Sequence, residues 1–268
     1  MSRRALRIIA YLTVPTLATS YGIHLGLNHL EDKYPPLPPA AAGSVALRTA
    51  QRPSQRCAYT DIYATRIRLE ALEALIPESA HATDTTQKIL LEEAWARAVL
   101  SSKPLRTESS IIGLLKSRTY TPGDAGESGF GADLDTGAPR ALLHGLFTVE
   151  REPAQRDGST SNGLLISWSM ADGPRLFFEK IARWGYPWRL MSGGRHEMSV
   201  SEPFEVKGQG RLVEVRFSAA HDYEIVPEEG KGKRQKILPE WTNRLHRGYA
   251  RVILDVAARE VENGLQRV

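Results

Sequence analysis

Between Leu212 and Val226 apolar and polar residues alternate almost without a break. Val213, Val215, Phe217, Ala219, His221, Tyr223 and Ile225 fall on one side, and Glu214, Arg216, Ser218, Asp222 and Glu224 on the other. A period of two marks a strand with one face against a core. At ~3.3 Å per residue this run would reach about 50 Å. A strand so long must twist and curve, or bend at a bulge, and the small pair Ala219-Ala220 is where a bulge is expected. The chain is therefore expected to build on a curved antiparallel sheet.

The rest of the sequence supplies partners for that strand. Cys57 to Leu69 alternates too, with Tyr59, Asp61, Tyr63, Thr65 and Ile67 on one side and Arg66 and Arg68 on the other. Asp84 with Gln87 forms a capping-box pattern for a helix whose stripe is Leu91, Ala94, Trp95 and Ala98. A second helix is expected over Thr107 to Ser117. Strands are expected at Gly145 to Arg151 and Leu164 to Met170, joined through the turn-rich Asp157 to Gly163 as a hairpin. Asp172 is expected to cap a short helix that turns Phe177, Phe178 and Ile181 inward, with Pro174 in its first turn. Arg195 to Val206 is a further strand. Glu228 to Lys236 reads as a solvated basic turn. A long helix then starts at Pro239, with Trp241, Leu245, Gly248, Tyr249, Val252 and Val256 on its inner face. Tyr120 to Arg140 is glycine-rich and acidic, but its glycines fit neither G-x-G-x-x-G nor a Walker motif, so it is expected to be a surface loop.

At the other end, residues 8–27 carry no Asp, Glu, Lys or Arg. A stretch of ~20 such residues can cross a bilayer as one helix. Arg3, Arg4 and Arg7 precede it and Glu31, Asp32 and Lys33 follow, which puts the N-terminus on the cytoplasmic or matrix side. An uncleaved single-pass anchor, a cleaved signal peptide and a mitochondrial presequence all fit, so the membrane is endomembrane or mitochondrial. Clustered prolines from Pro35 to Pro39 favour an extended spacer. The expected organisation is an anchor or targeting segment over residues 1–30, a Pro/Ala-rich linker over 31–55 and one α+β domain over 56–268.

Composition closes several functional classes. Net charge is +4, and three of the basic residues precede the apolar stretch. Beyond residue 60 acids and bases are interspersed, unlike a nucleic-acid footprint, so no nucleic-acid partner is expected. One cysteine, Cys57, excludes an intramolecular disulfide and a multi-cysteine zinc site. His196-Glu197 lacks the second histidine of H-E-x-x-H, and no other ligand spacing suggests a metal. No G-x-S-x-G and no S-x-x-K is present, and no cofactor is expected.

The order of elements is strand, two helices, antiparallel strands with one inserted helix, and a long terminal helix. This order resembles the START-like, or helix-grip, superfamily. The resemblance covers residues 57 to 262 and rests on element order, not on a signature motif. It implies a curved antiparallel sheet gripping the last helix around an apolar cavity. The glycine-rich loop and the helix at Asp172 depart from the simplest version of that pattern. Separately, the run from Trp184 to Glu197, with Trp188, Gly193-Gly194 and His196, resembles a stretch of fungal membrane-anchored proteins, which implies no particular activity.

Alternation nominates the site. Asp61 and Tyr63 share the inward face of the first strand, His196 shares a face with Met198 and Val200, and His221 and Tyr223 share the apolar face of the longest strand. If those faces meet around one cavity, His221, His196 and Asp61 are acid/base candidates, since imidazole titrates near neutrality. Tyr63, Trp168, Trp184, Trp188, Arg195 and Tyr223 are then the candidate ligand contacts. Three functions follow as expectations. The first is a membrane-tethered domain holding an apolar or lipid-like small molecule. The second is a cyclase, dehydratase or isomerase acting on a hydrophobic substrate. The third is an anchored interaction protein that docks a partner at Trp184 to Trp188. Each nominated residue also has a plain reading as a satisfied core residue.

Overall fold

A computed structural model describes residues 19–77, 84–134, 136–153, 163–230 and 232–265. The chain divides into two units, Met1–Pro35 and Pro36–Val268. In the first, a helix over residues 19–33 (α1) is followed by Tyr34, whose amide donates to the Leu30 carbonyl. Most of the expected membrane segment, residues 8–18, lies outside the described residues. Among the described residues no helix is long and apolar enough to cross a membrane.

The second unit holds the sheet. Its strands are β1 (Gln55–Arg68), β2 (Ala141–Leu142), β3 (Phe147–Arg151), β4 (Leu164–Ser169), β5 (Gly193–Val200), β6 (Phe204–Val206) and β7 (Gly210–Glu224). They are antiparallel in the order β1-β7-β5-β4-β3-β2, with β6 paired to β7. The helices are α2 (Pro39–Ala42), α3 (Val45–Arg48), α4 (Leu69–Glu73), α5 (Asp84–Leu100), α6 (Lys103–Ser117), α7 (Asp172–Arg183) and α8 (Glu240–Leu265). The α+β class, the antiparallel sheet and the terminal helix agree with the sequence. The expected strand from Arg195 to Val206 is broken into β5 and β6, and the connection from Asp157 to Asn162 lies outside the described residues.

Strand β7 is the longest of the sheet and lies between the edge strand β1 and β5. The expected bulge is there, but on its neighbour. Pairing runs Cys57 with Asp222 and then Tyr59 with His221, so Ala58 is the extra residue and β1, not Ala219-Ala220, takes the irregularity. Beyond it, Tyr59, Asp61 and Tyr63 pair with His221, Ala219 and Phe217 on the face that meets α8.

The opposite face is covered by residues expected to be a spacer. Pro39 occupies a first-turn position of α2, where its missing amide proton costs nothing. Ser44 caps α3 by accepting from the Leu47 amide at 3.1 Å. Leu47 and Ala42 then pack on Ile62 of β1, Leu165 of β4 and Ala220 of β7. The linker expectation for 31–55 therefore gives way, from Pro36 onward, to a strap that belongs to the folded unit.

Several helical expectations shift. Helix α6 begins at Lys103, because Pro104 is tolerated in a first turn. Gln87 donates to the Glu73 carboxylate at 2.7 Å. Helix α7 is capped by Ala171 without a side-chain bond, Asp172 being already helical, and Phe177 is 57% exposed, not inward. The inner stripe of α8 is Asn243, Ala250, Ile253, Leu254, Ala257 and Val261. This lies about one residue, or ~100° of helix, from the stripe that its large residues suggest. Trp241 is 66% exposed, and Leu245 and Tyr249 are partly so.

Candidate functional site

Helix α8 does not close on the sheet along its whole length. Between them is a cavity of about 320 Å³. From α8 come His246, Tyr249, Ala250 and Ile253; from β7, Phe217 and Ala219; from β5, His196 and Met198. Trp168 and Ser169 of β4 and Met170 and Ala171 beyond it form another wall, and Leu105 and Glu108 of α6 with Leu146 and Phe147 complete it. The small residues Ala219 and Ala250 face each other's elements where larger side chains would fill the space. Across its α6–α8 wall the Tyr249 hydroxyl donates to the Glu108 carboxylate at 2.7 Å.

His196 is held in this wall by two rings, stacked on Phe217 with centroids 5.2 Å apart and edge-on to Phe147 at 5.5 Å. Burial first, and His246 second, hold its imidazole down at about 3, against a smaller upward pull from a hydrogen bond to the Ser218 backbone. It is therefore neutral at any physiological pH. His246 is also lowered by burial. It bridges to His221 edge-on at 4.6 Å. His221 in turn stacks on Tyr59 at 4.5 Å, and both of its ring nitrogens are buried without a hydrogen-bond partner. Its imidazole is pushed well below the ordinary range by burial and then by His246, His196, Arg247 and Arg195.

Only some of the nominated residues are brought together. His196 and Trp168 line the cavity. His221 lies behind His246 and does not line it. Asp61 does not line it either; burial raises its carboxyl pKa, with Arg247 and Arg251 opposing. Tyr63 lies under the Arg251 guanidinium, 4.2 Å from its ring centre. Tyr223 packs with Met191 and Leu238, and its hydroxyl accepts from the Leu238 amide at 3.3 Å. Trp188 is a packing residue, stacked on Phe178 at 5.1 Å and beside Tyr186 at 4.6 Å. Trp184 is 75% exposed with the Lys180 ammonium over its ring. Arg195 is on the wrong face for a cavity contact: it is buried on the outer side, paired with Asp222 at 2.7 Å and donating to the Thr49 carbonyl. The reason is the period of two, which puts Arg195 and Glu197 opposite His196.

His246 is the site residue that sequence reasoning missed. The signal was its spacing: His246, Ala250 and Ile253 recur at i, i+4 and i+7, one helical face. The neighbouring large residues Leu245 and Tyr249 drew the face toward themselves. Gly194 sits where its neighbours approach closely. A Cβ there would lie 2.3 Å from the Ala220 carbonyl oxygen and 2.8 Å from Trp168 Nε1, so a hydrogen is the only side chain that lets the indole lie over β5.

Chemically the cavity is a small apolar chamber with neutral imidazole and indole polar points. Among the described residues no group of three or more His, Cys, Asp or Glu side chains could hold a metal ion. Neither the protein-family models, the curated proteins nor the solved structures give a match to this chain.

Proposed function

We propose that the unit from Pro36 onward is a helix-grip, START-like carrier domain that binds an apolar or lipid-like small molecule between α8 and the sheet. The single observation that carries this reading is the unfilled chamber of about 320 Å³ at the junction of α8, β4, β5 and β7. A cavity of that size with an apolar wall is large enough for a ligand. The strand order β1-β7-β5-β4-β3-β2, with α5 and α6 inserted after β1 and α8 last, supports the kinship in architecture. The reading includes a membrane tether through residues 8–27, motivated by their lack of charged side chains. Acid/base catalysis by His221, His196 and Asp61 is the weaker alternative. Only His196 faces the chamber, and an imidazole that protonates at about 3 is a feeble base at neutral pH.

Native mass spectrometry after gentle extraction tests the binding reading. A co-purifying apolar molecule is expected on the wild-type protein and not on Ala250→Trp, whose indole would occupy the chamber. Empty wild-type protein that also fails to take up an added apolar dye would refute it. Carbonate extraction tests the tether, and full release of the intact chain would remove it.

A further inference from the structure

Helix α7 packs inward through Phe178 and Ala182. The Phe178 ring stacks on Trp188 at 5.1 Å, and Ala182 is buried. The other side of the helix leaves three large apolar side chains in solvent: Leu176, Phe177 and Trp184 are each at least half exposed. Leu176, Lys180 and Trp184 recur at i, i+4 and i+8, and Phe177, Lys180 and Trp184 at i, i+3 and i+7, so the four form one strip along the helix. Arg183 borders it, seven places after Leu176. Singly exposed apolar residues are ordinary, whereas a contiguous strip marks a contact surface.

Charge narrows the partner. Both acids of α7 are engaged by Arg175, which pairs with Asp172 at 2.7 Å and with Glu179 at 2.6 Å. Glu224 and Glu228 share a groove with Arg175 and Arg183, but Glu224 is paired with Arg52 and Glu228 makes no ion pair with Arg183. Lys180 and Arg183 therefore have no carboxylate partner among the described residues, and the Lys180 ammonium stands over the Trp184 ring instead. The order of side chains separates a bilayer from a protein partner. Lys180 lies in the middle of the strip, and lysine is depleted from the centre of protein–protein interfaces. At a bilayer surface the same mixture is favoured, with Trp, Phe and Leu at the headgroup boundary and Lys and Arg reaching anionic headgroups.

We infer that the outer face of α7 docks on an anionic lipid surface, with Leu176, Phe177 and Trp184 seated at the headgroup boundary and Lys180 and Arg183 against negatively charged headgroups. The docking face is continuous with the chamber, because Ala171, which caps α7, is part of the cavity wall.

An environment-sensitive nitrobenzoxadiazole dye on Phe177→Cys in full-length Cys57→Ser protein tests this. Vesicles of phosphatidylcholine alone are compared with vesicles in which part of it is replaced by phosphatidylserine. Any attachment through residues 8–27 is common to both vesicle types, so the comparison isolates α7. The dye is expected to brighten and shift to the blue on the anionic vesicles and to change little on the neutral ones. The same dye on the exposed loop variant Leu134→Cys should respond to neither. Adding Lys180→Glu and Arg183→Glu should lower the response on anionic vesicles at least fivefold, since each base near such a surface contributes roughly fivefold. No response at position 177 overturns the inference, as does an equal response on the two vesicle types or at position 134. A response that rises with protein concentration in the absence of lipid assigns the face to a second copy of the chain and overturns it too. None of these readouts needs an occupied chamber, so failure here leaves the carrier reading standing, and failure of the carrier reading leaves the docking face standing.

Discussion

Glu197 divides its buried carboxylate between the Arg151 guanidinium at 2.9 Å and the Ser44 amide at 3.2 Å. Removing one member of a buried pair strands the other without its counter-charge, so Glu197→Ala is expected to cost about 3–5 kcal/mol. The double variant Arg151→Met/Glu197→Leu should recover most of that, as measured by urea denaturation. A Glu197→Ala midpoint equal to wild type would show that the pair contributes nothing. Gly194→Ala is expected to cost about 2–3 kcal/mol, since its methyl meets backbone at 2.3 Å and cannot be relieved by a side-chain rotation. A melting temperature unchanged by that substitution would mean that β5 shifts to make room. At this scale the sequence was informative wherever a strand alternates. His196, Trp168 and Gly194 could be assigned to faces by counting. It was silent on depth, because alternation gives the side of a sheet but not the distance along it. Asp61, His221 and His196 therefore shared a predicted face without sharing a chamber.

At the scale of elements, β7 and β1 were legible within two residues of their ends, and the strap was not. Pro35, Pro36, Pro38 and Pro39 carry the composition of an extended spacer, and each does restrict its own φ. What composition cannot register is that Pro39 also suits the start of a helix, and that Leu47 has a vacant apolar surface to meet on Ile62, Leu165 and Ala220. Leu47→Ala is accordingly expected to destabilise the fold by about 2–5 kcal/mol. A linker residue would show no effect in the same denaturation experiment. The orientation of α8 was misread for a related reason. Its buried stripe includes the small residues Ala250 and Ala257, and its most conspicuous residues, Trp241 and Tyr249, are on the exposed flank. Large side chains dominate a periodicity reading, whereas a helix that must approach a sheet closely favours small ones.

Across the whole molecule the three interior imidazoles set a pH dependence. His196, His221 and His246 are all lowered, mainly by burial. An unfolded histidine takes its proton near ~6.5. On acidification the unfolded chain therefore binds protons that the folded chain refuses. Their contribution is intact above ~6.5 and is lost as pH falls toward the folded values. Glu92 opposes this. Burial raises it from 4.5 to about 7, so its contribution is present at low pH and shrinks as pH rises through that span. Asp61 and Asp222 are also raised by burial, with Arg neighbours opposing, and act in the same sense as Glu92. His196, lowered to about 3, and His221, lowered well below its ordinary range, are expected to dominate between pH ~5 and ~6.5, so stability is expected to fall on acidification. Urea midpoints at a series of pH values measure it, and His221→Gln should flatten the slope. A wild-type midpoint independent of pH across that range would contradict the buried, neutral histidines. The strap has one more consequence. An ATP-driven protease that threads this unit from Pro36 cannot simply strip β1 from the edge of the sheet. It must first rip out Leu47 and break the Ser44 contact with Glu197 and the Thr49 contact with Arg195. Resistance to degradation from that end should therefore be set by a bolt fastened ahead of the first strand.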